Sequence, residues 1–147
     1  MDRILRRNCV STQTIVAKRA VFDKVRFDPR MKRFQDWDLT IGVIRAGFSV
    51  YFVKEPLVSC YVQSDSISKD GEKAYHGFRM ILSKYGKEYA MHPDSKKECY
   101  LLAGVLVEKQ GGNGADFFLR YYQMEKNPKN WVRYFLSRIR LYNKLSH

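Results

Sequence analysis

Three breaker segments divide the second half of the sequence into stretches of helical length, and this spacing restricts what the chain can fold into. The breakers are His92-Pro93-Asp94, Gly111-Gly112-Asn113-Gly114 and Asn127-Pro128. Proline fixes φ and lacks a backbone N–H, and glycine runs disfavour helix, so a helix has to end at each breaker. Apolar residues recur at helical spacing between them. The spacing therefore predicts antiparallel helices over 73–89, 94–110, 115–125 and 129–145.

The first 70 residues follow a different pattern. Helices are predicted over 17–25 and 36–46, whereas segments 48–53 and 57–63 are rich in β-branched and aromatic residues and predict strands. The predicted fold class is therefore α/β: a partial α/β segment of short helices and two to three strands over residues 1–70, followed by an all-helical extension over 71–147. Because so few strands are marginal in water, we expect this segment to complete a larger sheet.

The positive charge concentrates at the C-terminal end. The formal net charge is +12, and residues 126–147 carry no acid and six basic residues, namely Lys126, Lys129, Arg133, Arg138, Arg140 and Lys144. Such an end attracts anions. Apolar residues occupy the other side of the predicted helix, namely Val132, Phe135, Leu136, Ile139 and Tyr142. A basic amphipathic helix of this kind either lies on an anionic membrane or packs its apolar side on the preceding helices. The sequence leaves both arrangements open.

Cysteine and histidine spacing excludes several kinds of site. The cysteines, Cys9, Cys60 and Cys99, are far apart, so they predict neither a disulfide framework nor a metal site. The three histidines have no spacing for metal or triad chemistry. The sequence contains no run of about 18 apolar residues, so it predicts no membrane-spanning helix. We expect a cytoplasmic protein, with the inner face of the cell membrane as a more specific location.

The stretch Gln35-Asp36-Trp37-Asp38-Leu39 opens the second predicted helix, directly after a basic segment. A carboxylate in a first helical turn is stabilised by the helix dipole and by free N–H groups. That placement suits a helix cap, and it also suits a general base. Trp37 fits a core position better than a sugar-stacking position, because Ile41 and Ile44 continue its stripe.

Further motifs lie on both sides of this stretch in a fixed order. Phe27-Asp28 comes before it, and Gly47, Glu55-Pro56-Leu57-Val58 and Ser66-Ile67-Ser68 come after it. This order resembles the C-terminal, acceptor-side part of the inverting glycosyltransferases of family 2, which have the GT-A fold. The resemblance covers roughly residues 8–70.

The resemblance implies a set of site residues. Asp36 matches the general base, Gln35 stands where the family usually has glutamate, and Asp38 matches an acid of mostly structural role. Gln63 takes the place of a histidine that often follows the Glu-Pro-Leu turn. The expected acceptor- or substrate-binding set is Gln35, Trp37, Asp38, Arg33 and Gln63.

The resemblance also implies partners. They are a nucleotide-sugar donor and a saccharide or lipid-linked acceptor, such as a growing surface polysaccharide. A divalent metal, Mg or Mn, is expected in the full-length enzyme but not in this chain, because Asp36-Trp37-Asp38 lacks the preceding apolar strand of a metal-binding Asp-x-Asp motif. No nucleotide-binding half can be found, so we expect a fragment that is inactive alone.

A function without catalysis is the alternative hypothesis to glycosyl transfer. The alternative is a basic helical module that binds anionic membrane or nucleic acid. Nucleic acid is the weaker option, because the basic residues do not interleave with exposed aromatics in a known motif, and we expect no nucleic-acid partner. Self-association into a homodimer is a further expectation, since a partial sheet exposes an edge.

Overall fold

The computed structural model describes residues 1–59, 61 and 70–145, and the regular structure in these ranges is helical. The helices are α1 (Asp2–Arg6), α2 (Arg19–Lys24), α3 (Gln35–Arg45), α4 (Gly71–Lys84), α5 (Gly86–Met91), α6 (Pro93–Lys109), α7 (Ala115–Met124), α8 (Pro128–Arg138) and α9 (Tyr142–Leu145). A 3-10 turn lies at Thr12–Thr14. In the described part of the chain, no helix has the length and apolar character needed to cross a bilayer.

The breakers act as the sequence predicts. Pro93 and Pro128 stand in the first turns of α6 and α8, where a missing N–H costs nothing. Gly111 adopts a positive φ of 79° after α6. Two predicted helices are each divided, because the chain turns at Tyr85 between α4 and α5 and at residues 139–141 between α8 and α9. Arg140 has a left-handed φ of 58° in the second turn.

The predicted α/β fold class is wrong, because the described residues contain no strand. Residues 48–53, predicted as a strand, have no regular secondary structure, and neither do residues 57–59 of the second predicted strand. Most of the remainder of that strand, including Gln63, lies outside the described residues. A strand persists only when its N–H and C=O groups pair with a neighbour. No described segment pairs with this one, and Tyr51 is 89% exposed.

The core forms around α6, which contacts α1, α4, α5, α7 and α9. It includes residues from both halves of the sequence, namely Ile4, Leu5, Trp37, Ile41, Phe78, Ile81, Cys99, Ala103, Val107 and Phe117. Trp37 packs edge-on against Phe34 and Phe78, with ring centroids 5.7 Å apart in each case. Tyr89 donates a hydrogen bond of 2.7 Å to the carbonyl of Leu5. These contacts hold the start of α3 against α4 and α1.

Candidate functional site

Asp36 lies in the first turn of α3, at a point that the neighbouring residues hold firmly. Phe34 caps the helix in a left-handed conformation, with φ of 66°. Trp37 is fully buried, and its indole N–H donates to the carbonyl of Ile4 at 2.6 Å. Thr40 donates its hydroxyl to the carbonyl of Asp36 at 2.8 Å. The backbone of Asp36 is therefore fixed, while its side chain stays partly exposed.

The Asp36 carboxylate is oriented through one oxygen. Asn8 Nδ2 donates to Oδ1 at 2.9 Å, and the N–H of Trp37 donates to the same oxygen at 2.8 Å. Among the described residues, none donates to Oδ2. Asn8 is itself held, because its own side-chain oxygen accepts the N–H of Val10 at 3.1 Å. A partly exposed carboxylate that is fixed through one oxygen can take a proton with the other, as a general base does.

Asp38 has a different environment, although it lies only two residues further along. It is buried, its Oδ2 is 2.8 Å from Lys84 Nζ, and its Oδ1 accepts the hydroxyl of Tyr85 at 2.8 Å. Lys84 also lies 3.3 Å from Asp28, which is paired in turn with Arg30 at 2.9 Å. We call Asp28, Arg30, Asp38, Lys84 and Tyr85 the Asp28–Asp38 cluster. It joins the loop before α3 to the end of α4, which supports a structural role for Asp38.

Hydrogen bonds and burial within the Asp28–Asp38 cluster shift the pKa values of Asp28 and Tyr85. Hydrogen bonds from Arg30 and Lys84 hold the pKa of Asp28 well below its usual range. Burial, together with the hydrogen bond to Asp38, raises the pKa of Tyr85 far above its usual range. The Tyr85 hydroxyl therefore stays protonated and acts as a donor. Hydrogen bonding to Asp28 raises the pKa of the Arg30 guanidinium, so the Asp28–Arg30 ion pair persists across neutral pH.

The other predicted site residues do not gather around Asp36. Gln35 is half-buried beside it. Trp37 lies in the core, as described above. Arg33 is buried, and its Nη1 donates to the carbonyl of Asp70 at 2.7 Å and to Gln110 Oε1 at 2.6 Å. Burial lowers the pKa of the Arg33 guanidinium. Gln63 lies outside the described residues.

A separate polar cleft of about 730 Å³ lies at the start of α4. It is bounded by the loop between α6 and α7, the start of α7 and the end of α8, and charged groups of both signs line it: Asp70, Glu72, Asp116, Arg138 and Arg140. Asp36 is not among the lining residues. Arg33, which lies just before α3, reaches this cleft, because Asp70 and Gln110, which accept its hydrogen bonds, line it.

The side chains in the described ranges do not fit a divalent cation. In the described ranges no group of three or more histidine, cysteine, aspartate or glutamate side chains could hold a metal ion. In Asp36-Trp37-Asp38, the second carboxylate is already occupied by Lys84 and Tyr85. An ammonium at 2.8 Å stands where a cation would have to bind.

Sequence reasoning missed the residues that set the geometry around Asp36 and Asp38. Asn8 is 28 residues from Asp36, and Lys84 is 46 residues from Asp38. Neither forms a local motif with its partner, so no spacing indicates the contact. The one available signal was compositional, since a buried acid calls for a basic partner somewhere in the chain.

Comparison with known proteins gives a partial similarity. A stretch of 53 residues is 38% identical to the amylovoran biosynthesis glycosyltransferase AmsB of Erwinia amylovora. The stretch covers 36% of this chain and 18% of AmsB, so the chain matches less than a fifth of that relative's length. No protein-family model matches the chain, and no solved structure does. The chain is thus similar, over about a third of its length, to a glycosyltransferase.

Proposed function

We propose that this chain takes part in glycosyl transfer from a nucleotide-sugar donor to a saccharide or lipid-linked acceptor, with inversion, and that Asp36 is the general base. The partial similarity to a glycosyltransferase supports the reaction class. The observation that carries the assignment of the base is the Asp36 carboxylate, which two donors anchor through Oδ1 and which accepts no hydrogen bond at Oδ2 from the described residues.

The proposed step is a single displacement. As the acceptor hydroxyl oxygen forms its bond to the anomeric carbon of the donor, its proton passes to Asp36 Oδ2. The bond between the anomeric carbon and the diphosphate breaks, and the nucleoside diphosphate leaves with the electron pair. Attack opposite the leaving group inverts the configuration. Because Asn8 and the Trp37 N–H engage Oδ1, the carboxylate cannot rotate freely, and Oδ2 stays presented to the acceptor.

The remaining site residues have proposed roles that follow from their positions. Gln35 borders Asp36 and is partly exposed, so it is the proposed acceptor contact among the described residues. Trp37 and Asp38 act as positioning residues, through the core and through Lys84. Arg33 holds the start of α3 to the start of α4. The acceptor contact predicted for Gln63 stays a prediction.

We also propose that donor binding needs residues beyond those described, and that the chain alone is inactive. The matched stretch spans only 18% of the relative, which supports this proposal.

The test is an assay of the intact gene product for nucleoside diphosphate release, with a panel of nucleotide sugars and a lipid-linked saccharide acceptor. Asp36→Asn is the informative variant, because its amide oxygen can still accept the Trp37 N–H while the base is lost. We expect kcat to fall by about 10²- to 10⁴-fold with little change in thermal stability. Asp23→Asn is the matched control, since it removes an exposed aspartate from α2.

Two results would contradict the proposal. If Asp36→Asn turns over at the rate of Asp23→Asn, Asp36 is not the general base, although the proposed reaction class still holds. Failure of the intact gene product, with any residues that lie beyond this chain, to consume any nucleotide sugar would remove the reaction class itself, provided that its α-helical content and unfolding transition are normal.

A further inference from the structure

Helix α8 packs its polar side inward. Asn130 and Ser137 are buried, and both find partners there. Asn130 Nδ2 donates to the carbonyl of Glu125 at 3.0 Å and its Oδ1 accepts Arg133 at 2.8 Å, while the Ser137 hydroxyl donates to the Glu108 carboxylate. Polar groups are thereby satisfied in the interior, which reverses the usual arrangement of an amphipathic surface helix.

The opposite side of α8 exposes large apolar side chains to water. At 100° per residue, four of them fall within an arc of about 100° that faces away from Asn130 and Ser137. They are Trp131, Val132, Phe135 and Ile139, each between 43% and 48% exposed. We call these four residues the α8 apolar face. The rings of Trp131 and Phe135 stack with centroids 5.3 Å apart and planes 9° apart. A contiguous exposed patch of this kind marks an interaction surface.

Exposed cations border the α8 apolar face on both sides. Lys129 lies on one flank of the helix and Arg138 on the other. Further exposed basic residues precede and follow the helix, namely Lys126, Arg140 and Lys144. Residues 126–145 contain no acid, and none of these five cations forms an ion pair within the described residues. The surface thus combines uncovered apolar area with positive charge, although Arg138 and Arg140 also line the cleft that holds Asp70, Glu72 and Asp116.

The geometry points to a specific partner for this surface: an anionic lipid bilayer, on which α8 lies in the plane of the interface. Tryptophan favours the headgroup level of a bilayer. Phe135 and Ile139 would enter the acyl boundary, while Lys129 and Arg138 meet anionic headgroups. This inference stands apart from the proposed glycosyl transfer, because it uses no residue around Asp36.

Two other partners fit the surface less well. A second copy of the chain would cover the apolar face but would bring two sets of basic borders together, in a chain of net charge +12. Nucleic acid would neutralise the cations but would leave the aliphatic side chains of the face against a polar phosphate backbone. A bilayer with anionic headgroups satisfies both the apolar area and the charge.

The experiment measures co-sedimentation of the full chain with vesicles. Two compositions are compared: phosphatidylcholine alone, and equal parts of phosphatidylcholine and phosphatidylglycerol. We expect binding to the anionic vesicles that weakens with salt, and weak binding to neutral ones. Lys129→Gln/Arg138→Gln should lower the partition coefficient about 25-fold, since each basic residue contributes about fivefold. Lys18→Gln/Lys87→Gln removes two exposed cations elsewhere and should change it far less.

Tryptophan fluorescence gives a local readout. The chain has two tryptophans, of which Trp37 is fully buried and Trp131 is half-exposed. Brominated lipid in the anionic vesicles should quench Trp131, whereas the signal that stays in Trp131→Phe should not be quenched. Phe135→Ser should reduce binding, and Tyr51→Ser, which removes an exposed aromatic outside α8, should not. Circular dichroism verifies that each variant folds.

Several results would overturn the inference. One is equal binding to neutral and anionic vesicles, and another is a loss in Lys129→Gln/Arg138→Gln no greater than in its control. Absence of vesicle binding together with duplex DNA retention that depends on these two cations would assign the surface to nucleic acid. A dimer in sedimentation velocity that Phe135→Ser dissociates would assign it to a second copy.

Discussion

Lys84→Met tests whether the Asp28–Asp38 cluster stabilises the fold. Lys84 Nζ is the cation shared by two carboxylates, 2.8 Å from Asp38 and 3.3 Å from Asp28. The Asp38 side chain is 2% exposed, so water cannot replace the ammonium. In the variant, Asp38 would keep the hydroxyl of Tyr85 and Asp28 would keep Arg30. One buried negative charge would therefore be left without a cation.

The magnitude follows from burial. Removing one partner of a buried ion pair costs about 3–5 kcal/mol. The Lys84 side chain is 31% exposed, so part of its interaction is already screened by solvent, and we reduce the expectation to about 2–3 kcal/mol. Unfolding entropy of about 2.1 cal/mol/K per residue gives about 0.3 kcal/mol/K for a chain of this length. The melting temperature should fall by about 7–10 °C.

The assay is thermal and urea unfolding followed by circular dichroism, with Lys87→Met as the control. Lys87 is exposed and forms no ion pair in the described part of the chain. Asp38→Asn/Lys84→Met removes the unpaired charge together with its cation, so it should cost less than the sum of its single variants. If Lys84→Met unfolds within about 0.5 kcal/mol of Lys87→Met, the ammonium does not neutralise a buried carboxylate and the reasoning fails.

Two further predictions concern packing and thiol reactivity. A Cβ on Gly104 would lie 2.7 Å from an aromatic ring of α7, so Gly104→Ala should lower the free energy of unfolding by about 1–3 kcal/mol in urea titration. Gly86→Ala has open space and should be neutral or stabilising; equal losses in the two variants would contradict the close contact. Burial raises the pKa of the Cys99 thiol to about 12, so in a Cys60→Ser background the exposed Cys9 should react with a disulfide reagent at once and Cys99 only on unfolding. Reaction of both thiols at one rate would show that Cys99 is accessible in the folded chain.

Helix positions could be predicted because their signals are local. Pro93 and Pro128 start helices for a reason contained in the residue itself. Gly47 ends α3 with a positive φ of 85°, which glycine adopts without strain. The helix that places Asp36 in its first turn is found at Gln35–Arg45, one residue from the predicted bounds at each end.

Strands could not be predicted as reliably, because a strand forms only when a second segment pairs with it through backbone hydrogen bonds. Residues 48–53 have the β-branched and aromatic composition of a strand. Composition states only that a segment suits a pleated, half-buried surface, and says nothing of whether a partner exists. In the described residues Phe52 is 74% exposed and unpaired. The α/β prediction therefore failed at the one step that local sequence does not contain.

In the candidate site, too, the features set by local sequence could be predicted and those set by distant contacts could not. The placement of Asp36 at a helix start is local and was predicted. The orientation of its carboxylate depends on Asn8, and the burial of Asp38 depends on Lys84, through contacts between distant parts of the chain. Such contacts arise from how helices pack, so a single sequence without coupled changes in relatives carries no record of them.

Helix α8 shows why an amphipathic pattern does not state which side faces inward. The hydrophobic effect favours burial of Trp131 and Phe135, and a pattern-based reading follows that preference. The side of α8 that faces inward also has to provide hydrogen-bond partners for buried polar groups on neighbouring helices. Glu108 of α6 is one such group: it is buried and accepts the N–H of Gly114 at 2.8 Å. Among the described residues, the second hydrogen bond to its carboxylate comes from the polar side of α8, through Ser137. Turning α8 over would leave Glu108 without that donor, so the apolar side is left outside, available to a partner.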